Sequence, residues 1–174
     1  MKIKSKFFVV MVVVLTAFCV TLASGTVTTF KTGPFTVSVD LGELCTDINI
    51  SKPIPSESIG GDTYTLYKMS GCEVALQIKR YDNLDFDTTS AFGAEGVTKD
   101  LLYAGADKDA ISIFNREING MPGAVGSAYI PNSKSTFYTA RYYVSPKSLG
   151  YIYVQDNETK MISALKTIHV TENA

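Results

Sequence analysis

Apolar and polar residues alternate along most of the chain, and this alternation limits the fold more than any other feature of the sequence. In Val74–Tyr81, for example, apolar residues stand two positions apart, as in a strand with one buried face. Turn signals lie between such segments, at Ser70-Gly71 and Asn119-Gly120. The pattern predicts an antiparallel sheet built from hairpins, with strands at Phe35–Leu41, Tyr64–Met69, Val74–Tyr81, Ala110–Ile118, Ala124–Ile130, Phe137–Val144 and Tyr151–Val154, and a further pairing segment at Asp47–Ile50.

Two segments have helical periodicity instead. Apolar residues recur at helical spacing in Ala91–Ala104, after N-cap candidates in Thr88–Ser90 and before Gly105, a helix stop. A second helix is predicted after Asp156, and it gives way to a short closing strand in Lys166–Val170. Hairpin strands with inserted helices predict the α+β class, an antiparallel sheet flanked by helices, rather than a doubly wound parallel sheet.

The first 25 residues have the three parts of a secretory signal peptide. A basic start precedes an apolar run from Phe7, and small residues follow at Ala23-Ser24-Gly25. We expect cleavage after Gly25 or Ala23, so that residues 26–174 form one secreted or cell-surface domain. The alternative is an uncleaved membrane anchor at residues 7–23, a length at the lower limit for spanning a bilayer.

Composition excludes two broad classes of protein. With 45% hydrophobic residues in 174, the chain can bury enough apolar surface to fold, which excludes intrinsic disorder. It has 16 Lys+Arg against 17 Asp+Glu, and removal of Lys2, Lys4 and Lys6 with the signal leaves 13 against 17, a balance of −4. A mildly acidic domain without a basic cluster is a poor match for nucleic acid.

Two cysteines, Cys45 and Cys72, remain after the predicted cleavage. An even number of cysteines in an exported protein predicts a disulfide between them, and closing a loop of this length contributes about 3.5 kcal/mol to stability. Two buried thiols are the alternative. Metal binding is the weakest interpretation, because neither cysteine has a C-x-x-C partner and the single histidine, His169, is distant in the sequence.

The order of elements resembles that of a known superfamily. The strand Phe35–Leu41 precedes a hairpin that ends in Gln77–Asp82, and a helix precedes the turn Arg116–Gly123. An aromatic hairpin then leads to a helix and the closing strand Thr167–Val170. This arrangement resembles the PsbP-like α/β/α sandwich, which is named for the extrinsic photosystem subunit and includes prokaryotic secreted proteins. The resemblance implies the sandwich fold and no functional residue, and one fold accommodates unrelated functions.

The aromatic hairpin is the predicted binding surface. Phe137, Thr139, Arg141 and Tyr143 alternate with Tyr138, Ala140, Tyr142 and Val144, and Tyr151 and Tyr153 alternate with Ile152 and Val154. Exposed tyrosine rings can stack on sugars or peptides at low entropic cost. The candidate binding residues are Tyr138, Tyr142, Tyr151 and Tyr153, with Arg141 as a polar partner on the opposite face or rim. Alternatively, a helix covers these rings, or they stabilise the sheet as cross-strand pairs.

An acidic stretch contains a weak calcium candidate, Asp82, Asp85 and Asp87, whose spacing is not that of an EF-hand. The alternative is a solvated loop between strand and helix. No catalytic set accompanies His169, and we expect no cofactor. The sequence therefore favours a secreted or cell-surface, non-enzymatic binding or structural domain for an unknown protein or glycan partner. The alternatives are an accessory subunit of a membrane-associated complex and a hydrolase using carboxylates such as Asp82 and Asp85.

Overall fold

A computed structural model of the chain describes residues 27–40, 48–58 and 60–173, and most of these residues lie in strands. The helices are α1 (Glu95–Tyr103) and α2 (Glu158–Thr167), with a 3-10 turn at Lys108–Ala110. The strands are β1 (Val27–Thr32), β2 (Phe35–Asp40), β3 (Asn49–Ile50), β4 (Ile54–Glu57), β5 (Thr63–Gly71), β6 (Val74–Tyr81), β7 (Ser112–Ile118), β8 (Met121–Ile130), β9 (Ser135–Ser145), β10 (Ser148–Gln155) and β11 (His169–Glu172).

Eight strands form one large antiparallel sheet in the order β3-β5-β6-β10-β9-β8-β7, with β4 also paired to β5. The predicted hairpin at Asn119-Gly120 is confirmed. Both residues have positive φ angles, 56° and 71°, and they join β7 to β8. Asparagine and glycine tolerate this left-handed backbone, which matches the twist of the two strands. The β5–β6 hairpin is also confirmed, but its predicted turn at Ser70-Gly71 is wrong because both residues belong to β5. The turn residues are Cys72 and Glu73, which have positive φ angles as well.

A second, three-stranded antiparallel sheet has the order β1-β2-β11. Its middle strand contributes Phe35, Val37 and Val39, all fully buried. These side chains pack with one face of the large sheet and with α2 in the larger hydrophobic core. The opposite face of the large sheet contacts α1 and the preceding loop in a smaller core that includes Val97, Leu101 and Tyr151. The large sheet is therefore the middle layer, between a sheet with one helix and a single short helix.

The predicted fold class, an α+β sheet flanked by helices, is wrong. Strands contain 54% of the described residues and helices 16%, so the fold is β-rich. The physical reason is that α1 and α2, with 9 and 10 residues, each cover only part of a sheet face, and on the face that carries α2 the second sheet packs beside the helix. The helix-flanked sandwich implied by the PsbP-like resemblance is accordingly not what the described residues form.

Both helices begin later than their sequence patterns predict. Helix α1 starts at Glu95 without a side-chain cap, although it stops as predicted at Gly105, whose φ is 98°. Helix α2 is capped by Asn157 instead of Asp156, since the Asn157 side chain accepts a hydrogen bond from the backbone N–H of Lys160. The N-cap preference identifies the type of residue, and the packing against the sheet decides which position is used.

Several sequence predictions fall outside the described residues. These are the signal peptide of residues 1–25, the alternative anchor at residues 7–23, and Cys45, one half of the predicted disulfide. In the part of the chain that is described, no helix is both long and apolar enough to cross a membrane.

Candidate functional site

The large sheet separates the candidate tyrosines into two groups. Tyr138 and Tyr142 point toward the larger core, whereas Tyr151 and Tyr153 lie on the opposite face, which is the face toward α1. Arg141 shares that second face because it is directly opposite Tyr151 in the β9–β10 register. We call the surface formed by Lys79, Arg141, Tyr151 and Tyr153 the tyrosine face.

Tyr142 is fully buried, so its ring is a core side chain and offers no surface to a ligand. It lies directly opposite Gly150 on the neighbouring strand β10, and a Cβ on Gly150 would come 2.4 Å from the Tyr142 ring. The glycine thus provides the space that the ring occupies. Burial raises the pKa of Tyr142, and its hydroxyl has no hydrogen-bond partner among the described residues.

Tyr138 is half-buried and lines a small crevice of about 70 Å³. The crevice lies between the large sheet and α2, and the exposed Phe114 and Ile162 also border it. This space is large enough for only a few atoms of a ligand. Tyr138 is therefore separated from the tyrosine face by the full thickness of the sheet.

On the tyrosine face, Arg141 is held by α1. Its Nε donates to Asp100 Oδ2 at 2.6 Å, and a second guanidinium nitrogen donates to the other carboxylate oxygen. The Cζ of Arg141 also lies 4.7 Å from the ring centroid of Tyr151. Helix α1 can approach this closely because Gly96 has no side chain, since a Cβ there would come 2.5 Å from Arg141. The charge of Arg141 is thus compensated within the protein.

Lys79 is the second cation of the tyrosine face, and it is placed differently. Its Nζ lies 5.0 Å from the ring centroid of Tyr64 and 4.9 Å from that of Tyr151. Both distances suit cation–π contacts. Burial lowers the pKa of Lys79, nearby Arg141 lowers it further, and Asp100 partly opposes the effect. Among the described residues no carboxylate oxygen lies within 4.0 Å of its Nζ.

Aromatic rings continue along the same face. The rings of Tyr151 and Tyr153 are nearly parallel, with centroids 6.4 Å apart, and the ring of Phe137 lies 6.0 Å from that of Tyr153. Tyr151 is almost fully buried, whereas Tyr153 and Phe137 are half-buried. Burial raises the pKa of Tyr153, Asp100 adds to the effect, and Arg141 partly opposes it.

Tyr153 and Phe137 line an open cavity of about 520 Å³, which we call the groove. It lies where the β5–β6 turn meets the ends of β9 and β10. Its polar lining includes the amides of Gln77 and Gln155 and the carboxylate of Glu73. Glu73 accepts a hydrogen bond from the Asn157 side chain at 2.7 Å. The groove therefore combines aromatic rings, amides and one carboxylate, a mixture typical of small-ligand sites.

The predicted acidic stretch is arranged differently from a metal site. Asp82, Asp85 and Asp87 are exposed, and no group of three metal-ligating side chains forms within the described part of the chain. Asp87 instead accepts hydrogen bonds from the backbone N–H and the hydroxyl of Thr89. These two bonds lower the pKa of Asp87, mainly through the hydroxyl. This is the turn chemistry expected of an aspartate in a loop.

Four residues of the groove and the tyrosine face were not predicted from the sequence, namely Gln77, Lys79, Glu73 and Asp100. A signal for the first two was present, because the alternation in β6 places Gln77 and Lys79 together on the face opposite the apolar residues. Asp100 had no comparable signal. Its role depends on how α1 lies across the sheet, which the local pattern does not specify.

Comparison of the chain with protein-family models, with curated proteins and with solved structures finds no match.

Proposed function

We propose that this protein is an exported, non-enzymatic binding domain that holds a glycan in the groove. The observation that supports the proposal is the open 520 Å³ cavity lined by two half-buried aromatic rings, Phe137 and Tyr153, with amide side chains beside them. Sugars bind to such surfaces because their C–H faces stack on aromatic rings while amides exchange hydrogen bonds with their hydroxyl groups.

The rigidity of the groove supports the same proposal. Tyr153 and Phe137 belong to β10 and β9, two inner strands of the large sheet, and Gln77 belongs to the neighbouring strand β6. Side chains on paired strands are held in place more firmly than those on loops, so less conformational entropy is lost when a ligand binds.

The non-enzymatic part of the proposal is supported by the charges around the groove. Glu73 is the only carboxylate among the described residues that line it, and Asp82 and Asp85 lie elsewhere. Glycoside hydrolysis usually requires a pair of carboxylates across the scissile bond. Export rests on the predicted signal peptide, so the test uses the mature protein recovered from its native host.

The experiment measures binding of the mature protein to an immobilised panel of neutral, amino and acidic oligosaccharides. The variants are Tyr153→Leu, which keeps apolar bulk but removes the ring, and Tyr103→Leu, a matched control whose tyrosine is 96% exposed on α1, outside the groove lining. We expect retention on at least one glycan, lost in Tyr153→Leu and kept in Tyr103→Leu. Retention on no glycan, or equal retention by both variants, would contradict the proposal.

A further inference from the structure

Lys79 is the cation of the tyrosine face that has no carboxylate partner among the described residues. Arg141 is paired with Asp100 through two hydrogen bonds, whereas Lys79 is in contact with the rings of Tyr64 and Tyr151. Aromatic rings compensate a positive charge only in part, and a half-buried ammonium group has also lost part of its hydration. An anion that approaches Lys79 therefore gains more than it would at an exposed lysine.

The position of Lys79 places this charge next to the groove. Gln77 lines the groove, and Lys79 follows it two positions later on the same face of β6, about 7 Å further along the strand. Tyr151 lies directly opposite Gln77, and the Lys79 ammonium group contacts the Tyr151 ring. The Lys79 ammonium group thus lies between the Tyr151 ring, which is opposite Gln77, and the Tyr64 ring, which is opposite Tyr81. Gln77, the groove residue two positions away, lies on the Tyr151 side. Glu73, the acidic residue of the groove, lies in the β5–β6 turn at the other end.

The strands around the groove also restrict the type of ligand. Strand β6 is paired on both sides, with β5 and β10, and β10 is paired on both sides, with β6 and β9. A peptide therefore finds no free strand edge here to which it could add by backbone hydrogen bonds. Stacking on Phe137 and Tyr153 needs no free edge, and it favours a sugar ring.

We propose that the groove binds an acidic saccharide, with a sugar ring stacked on Tyr153 and Phe137 and a uronate carboxylate placed against Lys79. This inference rests on the proposed glycan-binding function and specifies its ligand class. A carboxylate suits the site better than a doubly charged phosphate, because Lys79 supplies one positive charge and the charge of Arg141 is already compensated by Asp100.

The test measures affinities of the mature protein for tetragalacturonate and for its methyl ester by calorimetry. The ester has the same sugar rings without the charges. We expect the wild type to bind the acid at least tenfold more tightly than the ester. Lys79→Gln should bind the two forms equally and Lys79→Arg should keep a preference for the acid. Lys108→Gln, which removes an exposed lysine outside the groove lining, should behave as the wild type.

Circular dichroism and thermal unfolding of each variant verify that it is folded. Equal binding of acid and ester by the wild type would overturn the inference while leaving glycan binding intact. A preference for the acid that persists in Lys79→Gln would overturn it as well. If the wild type binds neither form, the acidic-saccharide inference is overturned as well. The proposed glycan-binding function is tested independently, and it fails if the oligosaccharide panel shows no retention that depends on Tyr153.

Discussion

The guanidinium group of Arg141 on β9 is clamped by the carboxylate of Asp100 on α1, with two hydrogen bonds between side chains that are each about one-fifth exposed. This pair joins the helix to the sheet across the smaller core. It also gives the tyrosine face its asymmetry, because it compensates one of the two cations and not the other.

The Arg141–Asp100 pair predicts a large difference between two substitutions in the same helix. We expect Asp100→Ala to lower the free energy of unfolding by about 2–3 kcal/mol, because it leaves a mostly buried guanidinium group without its partner. Lys99→Ala removes an exposed ion pair with Glu95, and we expect it to leave the free energy of unfolding almost unchanged. Urea unfolding measures both values, and equal costs would contradict the structural role assigned to Asp100.

The buried hydroxyl of Tyr142 predicts that its ring matters to stability and its oxygen does not. We expect Tyr142→Phe to change the free energy of unfolding by less than about 1 kcal/mol in either direction, because the hydroxyl has no partner among the described residues. Tyr142→Ala should cost about 3–5 kcal/mol, since it leaves a cavity over Gly150. Thermal unfolding compares the two variants, and a Tyr142→Phe loss as large as that of Tyr142→Ala would be inconsistent with this arrangement.

Glu172 predicts a pH-dependent part of the stability. Burial alone would raise the pKa of its carboxyl group, but hydrogen bonds from Ser145, Arg80 and Ser148 outweigh burial and lower it. A carboxyl group whose pKa is lowered in the folded state stabilises the protein at pH values above its ordinary pKa of 4.5. This contribution to the free energy of unfolding disappears as the pH falls through the lowered pKa.

We therefore expect Glu172→Gln to lower the free energy of unfolding by about 2 kcal/mol at pH 7 and by progressively less below pH 4.5. Urea unfolding at several pH values measures this difference. A difference between Glu172→Gln and the wild type that does not vary with pH would argue against the hydrogen-bonded carboxylate.

The disulfide between Cys45 and Cys72 remains a prediction, since Cys45 lies outside the described residues. We expect the mature protein, denatured without reductant, to contain no free thiol by reaction with a thiol reagent. Reduction should then lower the free energy of unfolding by about 3.5 kcal/mol. Detection of two free thiols before reduction would refute the bridge.

The sequence was most informative where structure depends on neighbours in the chain. The alternation in β6, β9 and β10 predicted these strands, because the two-residue period depends only on each strand's own residues. The turn at Asn119-Gly120 predicted the β7–β8 hairpin, because the two strands of a hairpin are neighbours in the sequence. The same alternation placed Arg141 and Tyr142 on opposite faces. It could not specify which face would be covered, so it proposed Tyr138 and Tyr142 together with Tyr151 and Tyr153 as one binding group.

The features that sequence analysis missed depend on contacts between distant segments. Strand β1 was not predicted, although its residues Val27–Thr32 pair with β2 and extend the second sheet. Helix α1 was predicted from Ala91, whereas it begins at Glu95. Gly96 was expected only to weaken this helix, yet its missing side chain is what lets α1 lie against Arg141. In the sequence, a glycine that allows a helix to pack closely looks the same as a glycine at an exposed position.

The three-stranded sheet determines when the fold can be completed during synthesis. Strand β2 pairs with β1 through a short turn, but its other partner, β11, follows about 130 positions later. The hairpins of the large sheet, in contrast, close over short loops, so the entropic cost of loop closure is low. We therefore expect the hairpins to form early and the second sheet to form last. Until His169–Glu172 are made, the strand that contributes Phe35, Val37 and Val39 to the core has one edge without its partner.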